Sequence, residues 1–273
     1  MNSVTRIKLP PAAAAFDQVA ASYDELFTHS AIGRAQRRQV WNRLTAAFRP
    51  GDQVLELNCG TGEDARFLAQ RGVSVVACDA SAGMLEVAKR QIPRESAAPP
   101  PKYLHLAIED LSYFKGKEIF DGAFSNFSGL NCLSDLRPAA QNLAGLVRPG
   151  GKVLLCLWGR VCAAEVIWYL CHGQPRKAVR RFAGKAGVKL GQAALSVWYP
   201  TIRTLRLAFA PWFCLNARRA VGLFVPPSYA ESWVRGCPSM LARLEKLDSA
   251  CAHWPVLRDA GDHRLLEFMR CNP

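Results

Sequence analysis

The sequence has no CxxC pair among its ten cysteines, which stand singly from Cys59 to Cys271. Paired ligand spacing is the usual mark of a structural zinc site, so no metal is expected. A chain of 273 residues, half of them hydrophobic, buries enough core to fold without disulfides. Cys78, Cys132 and Cys156 lie in apolar runs, where a free thiol behaves as a small hydrophobe, and scattered thiols fit a reducing compartment. Also missing is the run of about 18 uncharged apolar residues that crosses a membrane. The nearest, Val161 to Cys171, is short and holds Glu165. The opening MNSVTRIKLPPAAAAFDQ has prolines where a signal peptide needs an apolar stretch. These absences predict a cytoplasmic protein, at most peripheral to a membrane. Acidic residues are scarce too, 22 against 35 Lys and Arg, for a net charge of +13. The deficit is concentrated between Arg160 and Ala230, where eleven basic residues meet Glu165 alone.

What is present is an alternation. Short β-rich runs (53–57, 73–78, 103–107, 119–125 and 152–158) alternate with helical stretches at Glu63–Gln70, Ala82–Gln91 and Asp135–Leu146, the last with Ser134 as its cap. Strands alternating with helices predict a parallel sheet covered on both faces. Pro93–Lys102, with three consecutive prolines, reads as a surface loop. Two helices, Phe16–Phe27 and Ile32–Phe48, precede the sheet. Beyond Trp158 the alternation fails. Glu165–Phe182 and Ile202–Ala210 read as helices, Ala220–Val225 and Arg264–Met269 as two final strands, with helical sequence between them at Tyr229–Leu247. The spans 1–50, 51–158 and 159–273 are accordingly read as a helical lid, a cofactor-binding core, and a basic aromatic cap that carries the last two strands.

The segment Val54-Leu-Glu-Leu-Asn-Cys-Gly-Thr-Gly62 runs a strand into a glycine turn that opens a helix. Glycine lets backbone approach a ligand without a Cβ in the way, and the helix start aims free amides at the same place. Taken alone, Gly60-x-Gly62 fits a dinucleotide pyrophosphate as well. Glu56 separates the readings, because a carboxylate there repels a pyrophosphate and suits a cationic cofactor. Asp79, 17 residues after Gly62 at the end of the second run, is placed to accept ribose hydroxyls; the competing role for it is capping the next helix.

At these residues the chain resembles the class I S-adenosylmethionine-dependent methyltransferases, in the small-molecule branch that includes the quinone-biosynthesis enzymes. The likeness covers about Phe16 to Trp158. It rests on Phe16…Tyr23-Asp24, Glu56-x-x-x-Gly60-x-Gly62, Asp79-x-Ser81-x-x-Met84-Leu85, Phe120-Asp121 and Arg148-Pro-Gly-Gly151. The resemblance implies a Rossmann-like three-layer α/β sandwich: a mostly parallel seven-stranded sheet, a helical N-terminal lid, and a helical insertion after the fifth strand. It implies S-adenosylmethionine as cofactor, with Glu56 serving the methionine ammonium and Asn58, Gly60 and Gly62 lying along the methionine. Asp79 would hold the ribose and Ala80 and Met84 would flank the adenine. Ser125, Asn126 and Phe127 would face the methyl group, and Tyr23 and Arg38 would close over the cofactor carboxylate. Two positions depart from the pattern. Asn58 stands where the family has glycine, although asparagine tolerates positive φ. Ala107 stands where an acid reads the adenine amino group, leaving Glu109 or Asp110 as its substitute.

The reaction implied is in-line displacement of a methyl group onto a small acceptor, apolar or aromatic, lipid- or quinone-like. Its acceleration comes largely from alignment in a dry site. His172, His263, Asp262 and Tyr199 are candidates for a general base, and none is singled out. Aromatics interleaved with Arg and Lys at 160–230 suit such an acceptor or an anionic membrane surface; nucleic acid ranks behind them for want of an RNA-binding module. The alternatives are an RNA methyltransferase, a catalytically inactive cofactor-binding regulatory module, and a nicotinamide oxidoreductase, which Glu56 disfavours.

Overall fold

The computed structural model describes residues 10–93, 98–116 and 119–272. Most of the opening stretch and the centre of the Pro93–Lys102 segment lie outside the described residues. Two helices lead, α1 (Pro11–Tyr23) and α2 (Ala31–Ala47), joined by a π-helical turn at Asp24–Thr28. The core follows as β1 (Gln53–Leu57), α3 (Glu63–Ala69), β2 (Ser74–Asp79), α4 (Ala82–Arg90), β3 (Lys102–His105), β4 (Phe120–Ser125), α5 (Arg137–Leu146) and β5 (Val147–Trp158). After it come α6 (Ala163–Cys171), α7 (Pro175–Ala178), β6 (Lys185–Leu190), β7 (Ala193–Trp198), α8 (Ile202–Phe209), β8 (Phe213–Val221), α9 (Glu231–Arg235), α10 (Pro238–Cys251) and β9 (His263–Arg270).

Seven strands form one sheet in the order β3-β2-β1-β4-β5-β9-β8. The first five are parallel, and β9 runs antiparallel to both neighbours. Because strand side chains alternate, Leu55 and Leu57 enter the layer under α5 and α8, while Val54 enters the layer under α2 and α3. Glu56 shares the side of Val54, which points its carboxylate toward α2 and α3. Strand order reverses between β1 and β4, and at such a switch point the carboxyl ends of the strands leave a crevice.

Several expectations change. The helix read over Glu165–Phe182 is broken, since Gly173 adopts φ +67° and Pro175 can only start a new turn. A separate hairpin, β6–β7, fills 185–198, turning at Gly191-Gln192, a two-residue connection with glycine first that is a hairpin signal in the sequence. The strand expected at 220–225 is β8, at 213–221, because Gly222 at φ +67° ends it and Arg218 and Arg219 hide its apolar alternation. Ser134 does not cap α5: the Asp135 carboxylate accepts the Arg137 N–H at 3.0 Å, and Pro138 occupies the first turn.

Candidate functional site

At the switch point a cavity of about 450 Å³ opens above β1, β2 and β4. This is within the range of small-molecule sites, roughly 300–1,000 Å³. Its floor is the turn from Asn58 to Thr61. Asn58 itself is at φ +52°, Gly60 at +54° and Gly62 at +74°. The asparagine is accommodated because Gly129 has no Cβ to strike it, and its Oδ1 accepts the Ser125 hydroxyl at 3.3 Å. A Cβ on Gly60 would meet no protein atom, so the backbone is bare where a ligand comes nearest.

Asp79 holds this turn in shape. One carboxylate oxygen accepts the Gly60 N–H at 2.8 Å and the other the Ser81 N–H at 2.8 Å. The cap of α4 is Ser81, whose hydroxyl accepts the Met84 N–H, so the carboxylate of Asp79 is left to the turn and the cavity. Burial pushes its pKa up against those two amides.

Deeper lies a buried charged group. Asp64, in the first turn of α3, accepts from Arg37 Nη1 at 2.6 Å, Trp41 Nε1 at 2.6 Å and Asn126 Nδ2 at 2.9 Å. The Arg37 guanidinium also lies 4.6 Å from the centroid of the Phe127 ring. Glu56 sits fully buried beside this group, and burial, reinforced by the Asp64 charge, raises its pKa well above the ordinary range. Glu56 Oε2 and Arg37 Nε are both buried and without a hydrogen-bond partner among the described residues. Buried polar atoms are nearly always satisfied; of these two residues Arg37 lines the cavity, and Glu56 lies beneath its floor.

The raised Glu56 pKa has a measurable sign. Above the ordinary carboxylate pKa the unfolded chain has lost this proton while the folded chain keeps it. Ligand-free stability therefore falls as pH rises toward the elevated value, by at most about 1.4 kcal/mol per pH unit. Glu56→Gln should flatten the melting temperature between pH 5 and pH 8. Parallel wild-type and variant curves would show that Glu56 ionises in the fold at its ordinary pKa.

Helix α1 is tied to the floor of the cavity. Asp17 on α1 accepts the Ser81 hydroxyl at 2.6 Å and the Gly83 N–H at 2.8 Å. The π-helical turn, a feature frequent at functional sites, swings Asp24 inward to accept from Thr61 Oγ1 and Gln91 Nε2, each at 2.6 Å. Burial raises the Asp24 pKa, but these hydrogen bonds outweigh it and hold the carboxyl below its ordinary value. Tyr23 then faces the cavity, and burial raises its phenol pKa.

Of the residues expected from sequence, Tyr23, Asn58, Gly60, Asp79, Ala80, Met84, Glu109 and Asn126 line the cavity. Between Glu109 and Asp110, the structure brings Glu109 to it and leaves Asp110 off. Glu56, Gly62 and Ser125 form the layer beneath. Arg38 needs correction: it points outward to a bidentate pair with Glu245 on α10, at 2.6 and 2.7 Å. One step along a helix is about 100°, which separates it from Arg37, the residue that reaches the cavity. Being half-exposed, the Arg38 pair contributes about 0–1 kcal/mol. Arg38→Ala should leave S-adenosylhomocysteine affinity within about twofold; a larger loss would place Arg38 in the site.

The proposed bases lie elsewhere. His172 is exposed and stacked on Trp168, and Tyr199 is buried near Arg181. His263 is buried between Trp158 and Phe127, and burial lowers its pKa to about 4 despite Asp262 beside it. Asp262 and Glu165 are bridged by Arg181 Nη2 at 2.8 and 2.6 Å. These two acids and Cys162 come close enough to share a metal ion, and the guanidinium already stands between them. Among the aromatics of 160–230, Trp198 reaches the cavity, whereas Phe209 and Phe213 are core. Sequence reasoning missed Arg37, Thr61, Asp64 and the wall formed by Cys132, Leu133, Ser134 and Ala194–Ser196. The position of Asp64 in the first turn after the glycine loop was the available signal.

The charged residues lining the cavity are Glu63, Asp64, Asp79 and Glu109 against Arg37, an acidic site in a chain of net charge +13. Fold and site together define a Rossmann-like domain for a nucleoside cofactor that carries positive charge rather than phosphate. A methyltransferase-domain family matches residues 54–151. The chain is 32% identical over 143 residues to the demethylmenaquinone methyltransferase of Clavibacter sepedonicus, covering 52% of this chain and 56% of that one. To that of Mycobacterium bovis it is 33% identical over 174 residues, covering 61% and 68%. The match spans a little over half the length of the first of these relatives. In fold it is similar to the N-methyltransferase NodS from Bradyrhizobium japonicum, solved with S-adenosylhomocysteine, at a TM-score of 0.57 and 15% identity over 97% of this chain and all of that one. The chain belongs to the class I S-adenosylmethionine-dependent methyltransferases.

Proposed function

We propose that this protein transfers a methyl group from S-adenosylmethionine to a small apolar or aromatic acceptor of the lipid or quinone type. The observation that carries this reading is the acidic cavity with one buried arginine. Like charge there disfavours a pyrophosphate, Arg37 in the lining offers a partner to a carboxylate, and Glu56 puts an unpaired acceptor directly beneath the floor on the side an ammonium would take. Asp79 accepts the ribose hydroxyls with the lone pairs its two amides leave free. Glu109 stands at the adenine side, with Ala80 and Met84 against the ring.

When bound, the cofactor supplies an already activated methyl group, so the chain's work is positioning and exclusion of water. Residues 1–50 act as the lid: α1, held by Asp17 and Asp24, closes one side of the cavity through Ala12, Phe16 and Tyr23. Residues 159–273 act as the acceptor cap: the β6–β7 hairpin closes the other side with Leu195, Ser196 and Trp198, facing Phe127 and Leu133. That wall is largely apolar and carries no arginine or lysine, which favours an uncharged ring over an anionic acceptor. The demethylmenaquinone methyltransferases among its relatives point to the same acceptor chemistry.

Calorimetric titration with S-adenosylhomocysteine and, separately, with NADH tests the cofactor. Binding of the first alone supports the reading and justifies turnover assays with demethylated naphthoquinones, phenols and lipids. Binding of NADH alone would defeat it.

A further inference from the structure

Helix α6 turns its one charge inward and leaves part of its apolar surface in solvent. Eight of its nine residues, Ala-Ala-Glu-Val-Ile-Trp-Tyr-Leu-Cys, are apolar or aromatic, and Glu165, its one charged residue, is also its one buried residue. A helix covering the core of a soluble protein turns its apolar stripe inward. Here the acid goes in, because Arg180 and Arg181 hold its two oxygens at 2.9 and 2.6 Å. Ile167 and Leu170 are left 62% and 54% exposed.

The segment that follows, packed against α6, adds two more exposed apolar residues. Val179 and Phe182, in the turn after α7, are 54% and 49% exposed. Tyr169 ties the two parts together: its ring lies 5.7 Å from Lys177 Nζ and 5.6 Å from the Arg180 guanidinium. Arg176 and Lys177 are exposed, and neither is in an ion pair with another described residue. The stretch 160–185 thus presents apolar side chains and unneutralised cations to solvent, with its one acid withdrawn.

We infer that α6 and the turns after it form a docking surface for an anionic phospholipid bilayer, with Ile167, Leu170, Val179 and Phe182 entering the headgroup boundary and Arg176 and Lys177 meeting lipid phosphates. Apolar side chains at the interface with Lys and Arg beside them are the pattern of helices that lie on such membranes. The acceptor side of the inference rests on the proposed function, since an acceptor of lipid or quinone type is concentrated in the bilayer. The surface itself does not depend on it.

The test is sedimentation of the purified protein with vesicles of phosphatidylglycerol and phosphatidylcholine, and with vesicles of phosphatidylcholine alone, at low and high salt. Binding is expected to the anionic vesicles and to weaken with salt. Arg176→Gln with Lys177→Gln should lower the partition coefficient about 30-fold, at roughly fivefold per cation. Ile167→Ser with Leu170→Ser should lower it about tenfold or more. Both pairs lie outside the cavity, so S-adenosylhomocysteine titration should be unchanged and reports that each variant is folded. No binding of the wild type to anionic vesicles would overturn the inference, as would binding that both variants retain. So would binding of a single-stranded oligonucleotide in place of vesicles, or a dimer that Ile167→Ser with Leu170→Ser dissolves. Vesicle binding without turnover on any acceptor would leave this surface standing and remove the proposed function.

Discussion

Replacing Asp79 with alanine is expected to weaken S-adenosylhomocysteine binding by about 10- to 150-fold, from the loss of ribose hydrogen bonds worth roughly 1.5–3 kcal/mol. The residue acts twice. Its carboxylate presents acceptors to the cavity, and it also holds the Gly60 and Ser81 amides that shape the glycine turn. Asp79→Asn weakens both roles without leaving a cavity. The amide keeps one acceptor but turns a donor toward an N–H that needs an oxygen, so it should lose most of the same affinity with less loss of packing. Calorimetry with a thermal melt on each variant reads both effects. A folded Asp79→Ala protein with an unchanged dissociation constant would end the ribose assignment.

Arg37→Met is expected to be the most destabilising substitution near the site. The Arg37–Asp64 pair is buried on both sides, at 11% and 5% side-chain exposure. Removing one partner of a buried pair leaves an uncompensated charge, at a cost of about 3–5 kcal/mol. Trp41 and Asn126 would still donate to Asp64, but neither carries charge. At an unfolding entropy of about 2.1 cal/mol/K per residue, the loss corresponds to a fall in melting temperature of about 5–9 °C. Arg37→Met combined with Asp64→Asn should recover much of it, because the second change removes the stranded charge. A single variant melting within about 2 °C of wild type would mean that water or a rearranged side chain compensates Asp64. Cofactor affinity should fall in both variants, since the buried Nε donor is lost in each.

The contrast between Arg37 and Arg38 shows where sequence reading stops. Both sit on α2 in a run of polar residues, and composition gives no reason to prefer one. The choice was made by the rotation of the helix against the sheet, set by Val40 and Leu44 packing on the far side of β1. The decision between Glu109 and Asp110 is of the same kind: a one-residue phase within a 3-10 turn at Ile108–Phe114.

Locally encoded features were legible in the sequence alone. The alternation of strands and helices, the glycine turn after β1, the carboxylate ending β2, and the excess of basic residues after Trp158 each depend on residue type at short spacing. They are enough for the α/β class, the cofactor chemistry and the position of the switch point. Tertiary structure alone decided the rest. It brought Asp64 to Arg37 across 27 positions, set the 185–198 hairpin against the cavity as a wall, and carried His263 and Asp262 away from it into a buried cluster with Arg181. It also turned Glu165 inward and left Ile167 and Leu170 in solvent, which no periodic pattern in α6 shows. The physical reason is common to all of these. Each depends on which faces of distant elements meet, and that is set by packing the whole sheet and its helices at once rather than by any window of the chain.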